Sequence, residues 1–269
     1  MSSLRRPLKS LGQNFLVDRN IIDKIIDSAR LVPEDSVLEI GPGRGALTEI
    51  MAKKVGRLQL VEYDHALAAI LKETYSADSK VSIVDADILA VDLPTLLGKE
   101  QTAWKVVANL PYNISTQVLF KLMDVRNSVS RMVLMLQREV AERLTAAPDC
   151  SDYGVTTVLL GLWYDMRIEF IVSPGCFHPR PKVDSAVISF VPLAEPRAEV
   201  GNEDVFRRIV KAAFAMRRKT LSNCLKRAEL VESDQLTAIL DECGIDGKRR
   251  GETLTLDEFA TLSRRFTTA

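Results

Sequence analysis

The feature that most constrains this chain is a regular alternation of short apolar segments with amphipathic segments between about residues 36 and 147. The apolar segments have the length of buried strands, and the segments after them carry apolar residues at helical spacing. Continuous apolar strands separated by helices are typical of a parallel sheet covered on both faces. Because crossovers between parallel strands are right-handed, the pattern predicts an α/β fold with a Rossmann-like, doubly wound sheet.

Five parallel strands are predicted, and a helix before the first of them has Asp18 or Asn20 as its N-cap. In chain order the strand segments are SVLEIGPGRG, which ends in glycines, RLQLVEYD, VSIVDADIL, WKVVANLPYNIS and SRMVLMLQ. Three later segments, GVTTVLLGLWYD, MRIEFIVS and DSAVISFVPL, have no clear helices between them. We expect these three to be antiparallel strands that close the sheet.

A polar stretch near residues 192 to 204 contains two prolines and is the best candidate for a linker. Beyond it the sequence has helical patterning and no strand-like runs. We therefore predict two domains, residues 1–195 with an N-terminal arm at 1–17, and a small all-α domain at 196–269.

Composition excludes several classes of protein. The chain has 269 residues, 46% of them hydrophobic, and its 36 basic residues balance 36 acidic ones. Such neutrality is mild evidence against nucleic-acid binding, although a local basic surface can still supply it. Four widely spaced cysteines and two histidines predict free thiols in a reducing compartment and no metal site. With no signal peptide and no membrane-spanning run, we expect a cytoplasmic protein.

Glycines 41, 43 and 45 in the segment EIGPGRG follow the first strand, where a tight turn can bring the backbone close to a ligand. This motif has three interpretations. It is a structural turn, a nucleoside-type cofactor site, or a dinucleotide site, since Gly41, Gly43 and Ala46 have the GxGxxG/A spacing and Glu62 follows about 20 residues later.

Acidic residues end successive strands and favour one interpretation. Glu39 lies at the end of the first strand, Glu62 can accept hydrogen bonds from a ribose diol, and Asp87 can accept one from the amine of adenine. Crowded carboxylates repel an anionic pyrophosphate and attract a cation. S-adenosylmethionine carries a sulfonium and an ammonium group, so it fits these residues better than NAD.

The segment NLPY, at the end of the fourth strand, has the groups needed to methylate an adenine amine. The side-chain oxygen of Asn109 and the carbonyl of Leu110 can each accept one amine hydrogen, which frees the nitrogen lone pair. Pro111 has a fixed φ and can hold that carbonyl in place, while Tyr112 can stack on the base. The base must leave its own stack to reach such a pocket, and Phe177 can form a second aromatic wall.

With these motifs the chain resembles the ribosomal RNA adenine dimethyltransferase family, and within it the bacterial enzymes of the small subunit. The matching segments cover nearly the whole sequence: LGQNFL, EIGPGRGALT, VEYD, DADIL, NLPYNIS, MLQREVAERL, YGVTTVLL, FHPRPKVDSAV and RRKTLSN. The last two favour the small-subunit type over the related large-subunit enzymes. The family match also disfavours a DNA adenine methyltransferase, which the NLPY chemistry alone leaves open.

The resemblance implies a Rossmann-like methyltransferase domain, a helical C-terminal domain, and S-adenosylmethionine as methyl donor. It implies dimethylation of two adjacent adenosines in a hairpin loop near the 3′ end of small-subunit RNA, and a part in subunit biogenesis. The implied cofactor contacts are Gln13, Asn14, Leu16, Gly41, Gly43, Gly45, Glu62, Asp87 and Asn109. We assign no role to the side chain of Arg44.

A run of basic residues with almost no acids follows the linker, and we predict that it contacts RNA phosphates. Its members are Arg207, Arg208, Lys211, Arg217, Arg218, Lys219, Lys226 and Arg227. The run lies in a segment predicted to be helical, VFRRIVKAAFAMRRKTLSNCLKRAEL, so we expect the three consecutive cations, 217 to 219, to fan around the helix axis and not to share one face. Arg5, Arg6 and Lys9 are expected to add a second contact.

Two other functions are compatible with parts of this pattern. An assembly factor would bind the immature small subunit, with methylation secondary, and an NAD-dependent enzyme would use the glycine loop differently. We expect a monomer whose partner is ribosomal RNA within an immature 30S subunit.

Overall fold

The structure is a computed structural model, and it describes residues 12–98, 103–228, 230 and 233–268. By its internal contacts the chain divides into two compact units. The first contains the described residues up to Ala141 together with Met166–Pro192, and the second contains Glu142–Asp165 together with the described residues from Leu193 onward.

The strands of the described residues form a seven-stranded sheet and a separate two-stranded one. They are β1 (Phe15–Leu16), β2 (Ser36–Ile40), β3 (Arg57–Glu62), β4 (Val81–Asp85), β5 (Trp104–Asn109), β6 (Val129–Gln137), β7 (Tyr164–Val172), β8 (Phe177–His178) and β9 (Ser185–Pro192). The large sheet has the order β4-β3-β2-β5-β6-β9-β7. Its first five strands are parallel and β9 is antiparallel to β6, which confirms the predicted α/β class.

Helices connect the parallel strands. In this part of the chain they are α1 (Arg19–Ala29), α2 (Thr48–Lys54), α3 (His65–Thr74), α4 (Leu93–Leu97), α5 (Ser115–Met123) and α6 (Arg138–Leu144). The Asp18 side chain accepts a hydrogen bond from the N–H of Ile21 and so caps α1, as the sequence predicts. Every residue of β2 is buried, as expected of a central strand with both faces covered.

The order of the parallel strands determines where a ligand can bind. Strands β2 and β5 are neighbours, but the chain leaves β2 toward one edge of the sheet and leaves β5 toward the other. Such a reversal opens a crevice beyond the carboxyl ends of the two strands. The glycine loop after Ile40 and the NLPY segment at Asn109 flank this crevice.

One strand prediction is wrong. The segment GVTTVLLGLWYD begins as helix α7 (Val155–Gly161), and β7 starts only at Tyr164. The β-branched residues favour a strand, but the Thr157 hydroxyl caps the start of the helix, because it accepts from the N–H of Gly154 at 3.1 Å and donates to the carbonyl of Arg143 at 2.6 Å. These local hydrogen bonds start a helical turn that the periodicity alone does not reveal.

The second unit is helical after the linker, as predicted. Its helices there are α8 (Glu203–Phe214), α9 (Leu221–Arg227), α10 (Ser233–Glu242) and α11 (Leu256–Thr268). The ring of Phe214 contacts the rings of both Tyr153 and Phe259, each at a centroid distance of 5.9 Å. Since Tyr153 comes from the loop before α7, this contact ties Glu142–Asp165 to the second unit, which a single boundary near 195 does not anticipate.

The basic run between residues 205 and 230 is not one continuous helix. Helix α8 ends at Phe214 and α9 begins at Leu221, so Arg217, Arg218 and Lys219 lie in the intervening turn. The expectation that these three cations fan around a helix is therefore wrong. All three are exposed.

Candidate active site

A cavity of about 370 Å³ lies at the carboxyl ends of β2, β3 and β5 in the first unit. It is lined by most of the residues that the sequence predicts for the site: Gln13, Asn14, Leu16, Glu39, Gly41, Gly43, Glu62, Asp87, Asn109, Leu110, Pro111 and Tyr112. Gly45 and Phe177 do not line it. The parallel topology thus brings together five segments that are far apart in sequence.

The glycine loop has the backbone conformation that its composition predicts. Gly41 and Gly43 have φ values of +66° and +58°, in the left-handed region that favours glycine. A Cβ atom at position 43 would also meet the Phe15 ring at 3.0 Å. The N–H of Gly43 donates to Glu62 Oε2 at 2.9 Å, so the loop is fixed against the end of β3.

Glu62 is buried, and main-chain groups hold both of its oxygens. Besides the bond from Gly43, its Oε1 accepts from the N–H of Asp64 at 2.8 Å. Burial raises the pKa of this carboxyl group above its usual range, while the two N–H donors oppose the shift. The carboxylate lies in the cavity wall where the sequence predicts a ribose contact.

Glu39 is a second buried carboxyl group in the cavity wall. Only 2% of its surface is exposed, and its Oε2 accepts a hydrogen bond from the Thr48 hydroxyl at 2.6 Å. Burial raises the pKa of Glu39 to about 8, and the nearby Glu62 carboxylate adds to the rise. A cation bound in this cavity would favour the ionised form of Glu39.

Asp87 lies two residues beyond the end of β4. One of its carboxylate oxygens, Oδ1, accepts from the N–H of Leu89 at 2.9 Å, which fixes the side chain at the cavity wall. The position is compatible with the predicted bond to an adenine amine.

The described part of the N-terminal arm is held at several points. Gln13 Nε2 donates to Asp64 Oδ2 at 3.0 Å, and β1 pairs with β8, with Leu16 opposite Phe177. The guanidinium group of Arg44 lies 4.4 Å from the centre of the Phe15 ring, a cation–π distance. Arg44, to which the sequence assigns no role, therefore stacks on the arm.

The NLPY segment ends β5 at the mouth of the crevice. Asn109 pairs with Met135 in β6, and the N–H of Leu110 donates to the Met135 carbonyl at 3.2 Å. Asn109 Nδ2 donates to the main-chain carbonyl of Asn14 at 3.1 Å. The NLPY segment and the arm are thereby joined, although they are 95 residues apart in sequence.

Two aromatic side chains have different surroundings. The half-buried Tyr112 lines the cavity, and its hydroxyl lies 2.6 Å from that of Ser185. Burial raises the pKa of the Tyr112 hydroxyl, so the phenol is neutral at physiological pH. Phe177 is 3% exposed and belongs to β8, so its predicted stacking role stays a prediction.

Sequence reasoning missed three of these contacts. The Asn14 carbonyl, the Asp64 carboxylate and the Ser185 hydroxyl each hold a site residue in place. Only Asp64 has a local signal, since it also caps α3 through the N–H groups of Ala66 and Leu67. The other two contacts depend on which segments the fold brings together.

The predicted RNA-binding cations between residues 205 and 230 lie in the second unit. Lys211, Arg217, Arg218, Lys219, Lys226 and Arg227 are exposed, as is Arg208, while Arg207 is half-buried. Arg5, Arg6 and Lys9 lie outside the described residues. Among the described residues no helix is long and apolar enough to cross a membrane, and within the same ranges no cluster of His, Cys, Asp or Glu is arranged to hold a metal ion.

These features define a Rossmann-like methyltransferase. They are the parallel strand order, the glycine loop, the acids at the strand ends, and the NLPY segment at the crevice between β2 and β5. The cavity walls hold Glu39, Glu62 and Asp87, a set of hydrogen-bond acceptors that fits a cationic nucleoside-type cofactor better than an anionic dinucleotide.

Comparisons with known proteins agree with the assignment to the methyltransferases. Residues 5–268 match the model of the family described as ribosomal RNA adenine dimethylase. Ribosomal RNA small subunit methyltransferase A of Geobacter metallireducens is 55% identical over 261 residues, which cover 96% of this chain and 95% of that protein.

Solved structures show the same fold. A dimethyladenosine transferase from Plasmodium falciparum is 25% identical with a TM-score of 0.82, over 94% of this chain and 98% of that one. The 23S rRNA methyltransferase ErmE is 26% identical with a TM-score of 0.70, over 94% of this chain and 100% of that one. The chain belongs to the ribosomal RNA adenine dimethylase family, and this membership implies that it uses S-adenosylmethionine.

Proposed function

We propose that this enzyme dimethylates the 6-amino groups of two adjacent adenosines in a hairpin loop near the 3′ end of small-subunit ribosomal RNA. The observation that carries the proposal is the position of Asn109 to Tyr112 in the wall of the same cavity as Glu39, Glu62 and Asp87. An adenine amine and a cationic methyl donor can therefore bind side by side. The substrate assignment is supported by the relative named as a small-subunit methyltransferase.

The chain's own residues account for the binding of the donor. Glu62 accepts from the ribose hydroxyls and Asp87 from the adenine amine of the cofactor, while Gly41 and Gly43 let the backbone approach it closely. Gln13, Asn14 and Leu16 of the arm complete this part of the wall. S-adenosylmethionine supplies an electrophilic methyl group when bound.

The residues after β5 account for the activation of the target. The side-chain oxygen of Asn109 and the Leu110 carbonyl accept the two hydrogens of the adenine amine, which directs its lone pair toward the donor. Pro111 fixes the turn, and its carbonyl accepts from the N–H of Ile114 at 3.3 Å. Tyr112 stacks on the flipped base, and Phe177 contributes a second ring if the β8 segment opens.

RNA binding is assigned to the second unit, mainly to its residues 196–269. The contacts are made by exposed cations and their neighbours: Arg208, Lys211, Arg217, Arg218 and Lys219. Exposed cations next to one another neutralise phosphates without reading sequence. We include in the proposal a monomeric enzyme that acts in the cytoplasm on an immature 30S subunit.

The experiment is transfer of labelled methyl groups to small subunits that lack the modification, followed by mapping of the modified bases. We expect two adjacent dimethylated adenosines in one hairpin loop. Asn109→Ala should lower the rate by about 100-fold or more, because a transition-state acceptor is lost, while subunit binding persists. Methyl transfer by the variant at the wild-type rate would overturn the mechanism.

A binding measurement separates this function from an NAD-dependent enzyme. Isothermal titration with S-adenosylmethionine should give saturable binding, and NAD should give none at the same concentration. Tight binding of NAD alone would exclude the proposed function.

A further inference from the structure

The side-chain amide of the catalytic Asn109 has a defined orientation. Its Nδ2 lies 3.1 Å from the main-chain carbonyl oxygen of Asn14. A carbonyl oxygen can only accept a hydrogen bond, so the nitrogen of the amide must face the arm. The other branch of the planar amide, Oδ1, is therefore directed away from Asn14 and available as an acceptor.

The carbonyl that imposes this orientation is itself held on both sides. The preceding residue, Gln13, bonds to the buried Asp64 at 3.0 Å. The following residue, Phe15, is paired with His178 in the two-stranded sheet and stacked under Arg44. The Asn109 backbone is held separately by its pairing with Met135 in β6. A hydrogen bond between two anchored segments fixes one amide orientation at little entropic cost.

We propose that the Asn14 carbonyl is a positioning group for methyl transfer, which directs Asn109 Oδ1 to the target amine and makes asparagine rather than aspartate the functional residue at 109. The inference rests on the adenine methylation proposed above. It assigns the arm a role in the chemical step in addition to its contact with the cofactor.

The hydrogen-bonding groups of residue 109 and the Asn14 carbonyl explain why position 109 requires asparagine rather than aspartate. An ionised aspartate at 109 would place a carboxylate oxygen against the Asn14 carbonyl oxygen, with two acceptors and no hydrogen between them. The side chain must then turn away, and the amine loses its acceptor. A protonated aspartate restores both functions, because its O–H donates to Asn14 and its C=O accepts from the amine.

The first test is the pH dependence of Asn109→Asp relative to wild type in single-turnover methyl transfer. We expect the variant to be at least about tenfold slower than wild type at pH 8, as for an unsatisfied pair that is partly shielded from water. The ratio of the variant's single-turnover rate to the wild-type rate should rise about tenfold as the pH is lowered from 8 to 5.5. Asn109→Ala is the control, since its ratio should not change with pH.

The second test changes the carbonyl and keeps every side chain. Replacing Phe15 by phenyllactic acid converts the Asn14 carbonyl into an ester carbonyl, which is a weaker acceptor, and also removes the N–H of Phe15. We expect the single-turnover rate to fall about threefold to tenfold, with binding of S-adenosylmethionine changed less than twofold. In the Asn109→Asp protein the same ester should cause a smaller loss, because the weaker carbonyl no longer matters there and only the missing N–H does.

The outcomes separate this proposal from the one it rests on. If wild-type protein transfers no methyl groups to the subunits, the proposed function fails. If wild type is active and the Asn109→Asp ratio is flat or near one across the pH range, the positioning role is wrong and the function stands. Equal loss of rate from the ester in both backgrounds would also overturn the positioning role.

Discussion

The hydroxyl groups of Tyr112 and Ser185 lie 2.6 Å apart, and Ser185 is fully buried in strand β9. Tyr112 belongs to the segment that we propose holds the target base, and Ser185 belongs to an antiparallel strand 73 residues later. A short hydrogen bond to a buried partner restricts the ring of Tyr112, so the stacking surface that we propose for the base would be formed before the base arrives.

We expect Ser185→Ala and Tyr112→Phe each to slow methyl transfer about fivefold, which corresponds to the loss of one hydrogen bond of about 1 kcal/mol. Because both changes remove the same bond, the double variant should be no slower than either single variant. Ser189→Ala is the matched control, since Ser189 is also buried in β9 but bonds to Glu169 instead. Additive losses in single-turnover rates would show that Ser185 does not act through Tyr112.

Gly43→Ala should abolish most cofactor binding. The substitution adds a side chain at a φ of +58° and brings it to 3.0 Å from the Phe15 ring, so both the loop and the arm must move. Gly244→Ala is the control, because Gly244 has a similar φ of +66° with no atom within 4 Å of the added Cβ. Both variants should lose about 1 kcal/mol of stability, but only Gly43→Ala should weaken binding of S-adenosylmethionine in a titration.

Glu39→Gln should stabilise the cofactor-free protein at alkaline pH. The pKa of Glu39 is about 8 in the fold and 4.5 ordinarily, so between these values the folded state holds a proton that the unfolded state releases. Stability therefore falls as pH rises through this window, by about 1.4 kcal/mol per pH unit and roughly 4 to 5 kcal/mol at most. Glutamine removes this loss.

The measurement for Glu39 is urea unfolding of both proteins at several pH values. The stability difference should be near zero at pH 4.5, grow steadily to pH 8, and level off above it. A difference that stays constant across this range would mean that Glu39 titrates normally.

Replacing Arg217, Arg218 and Lys219 together by alanine should weaken RNA binding and reduce its salt dependence. Each lost phosphate contact lowers the slope of log affinity against log salt by about one. The control replaces Lys53, Lys54 and Lys72, which are exposed cations of the first unit, and changes the net charge equally. If both triple variants have the same affinity and slope, the turn between α8 and α9 is not an RNA contact.

Much of the fold follows from local pattern. The apolar strands, the cap at Asp18 and the glycine loop are each encoded within a few residues, and so are the chemical groups of NLPY. Prediction failed at Val155–Gly161, where a capping hydroxyl outweighs β-branched composition. It also failed at Arg217 to Lys219, where a helix break has no proline or glycine to mark it.

The sequence by itself determined that an adenine-amine motif and a row of acids lie at the carboxyl ends of parallel strands. Only the tertiary structure decided which groups hold that motif: the Asn14 carbonyl for Asn109 and the Ser185 hydroxyl for Tyr112. The physical reason is distance along the chain. Periodicity and capping act over a few residues, whereas these hydrogen bonds join segments 95 and 73 residues apart, which only the order of strands in the sheet brings into contact.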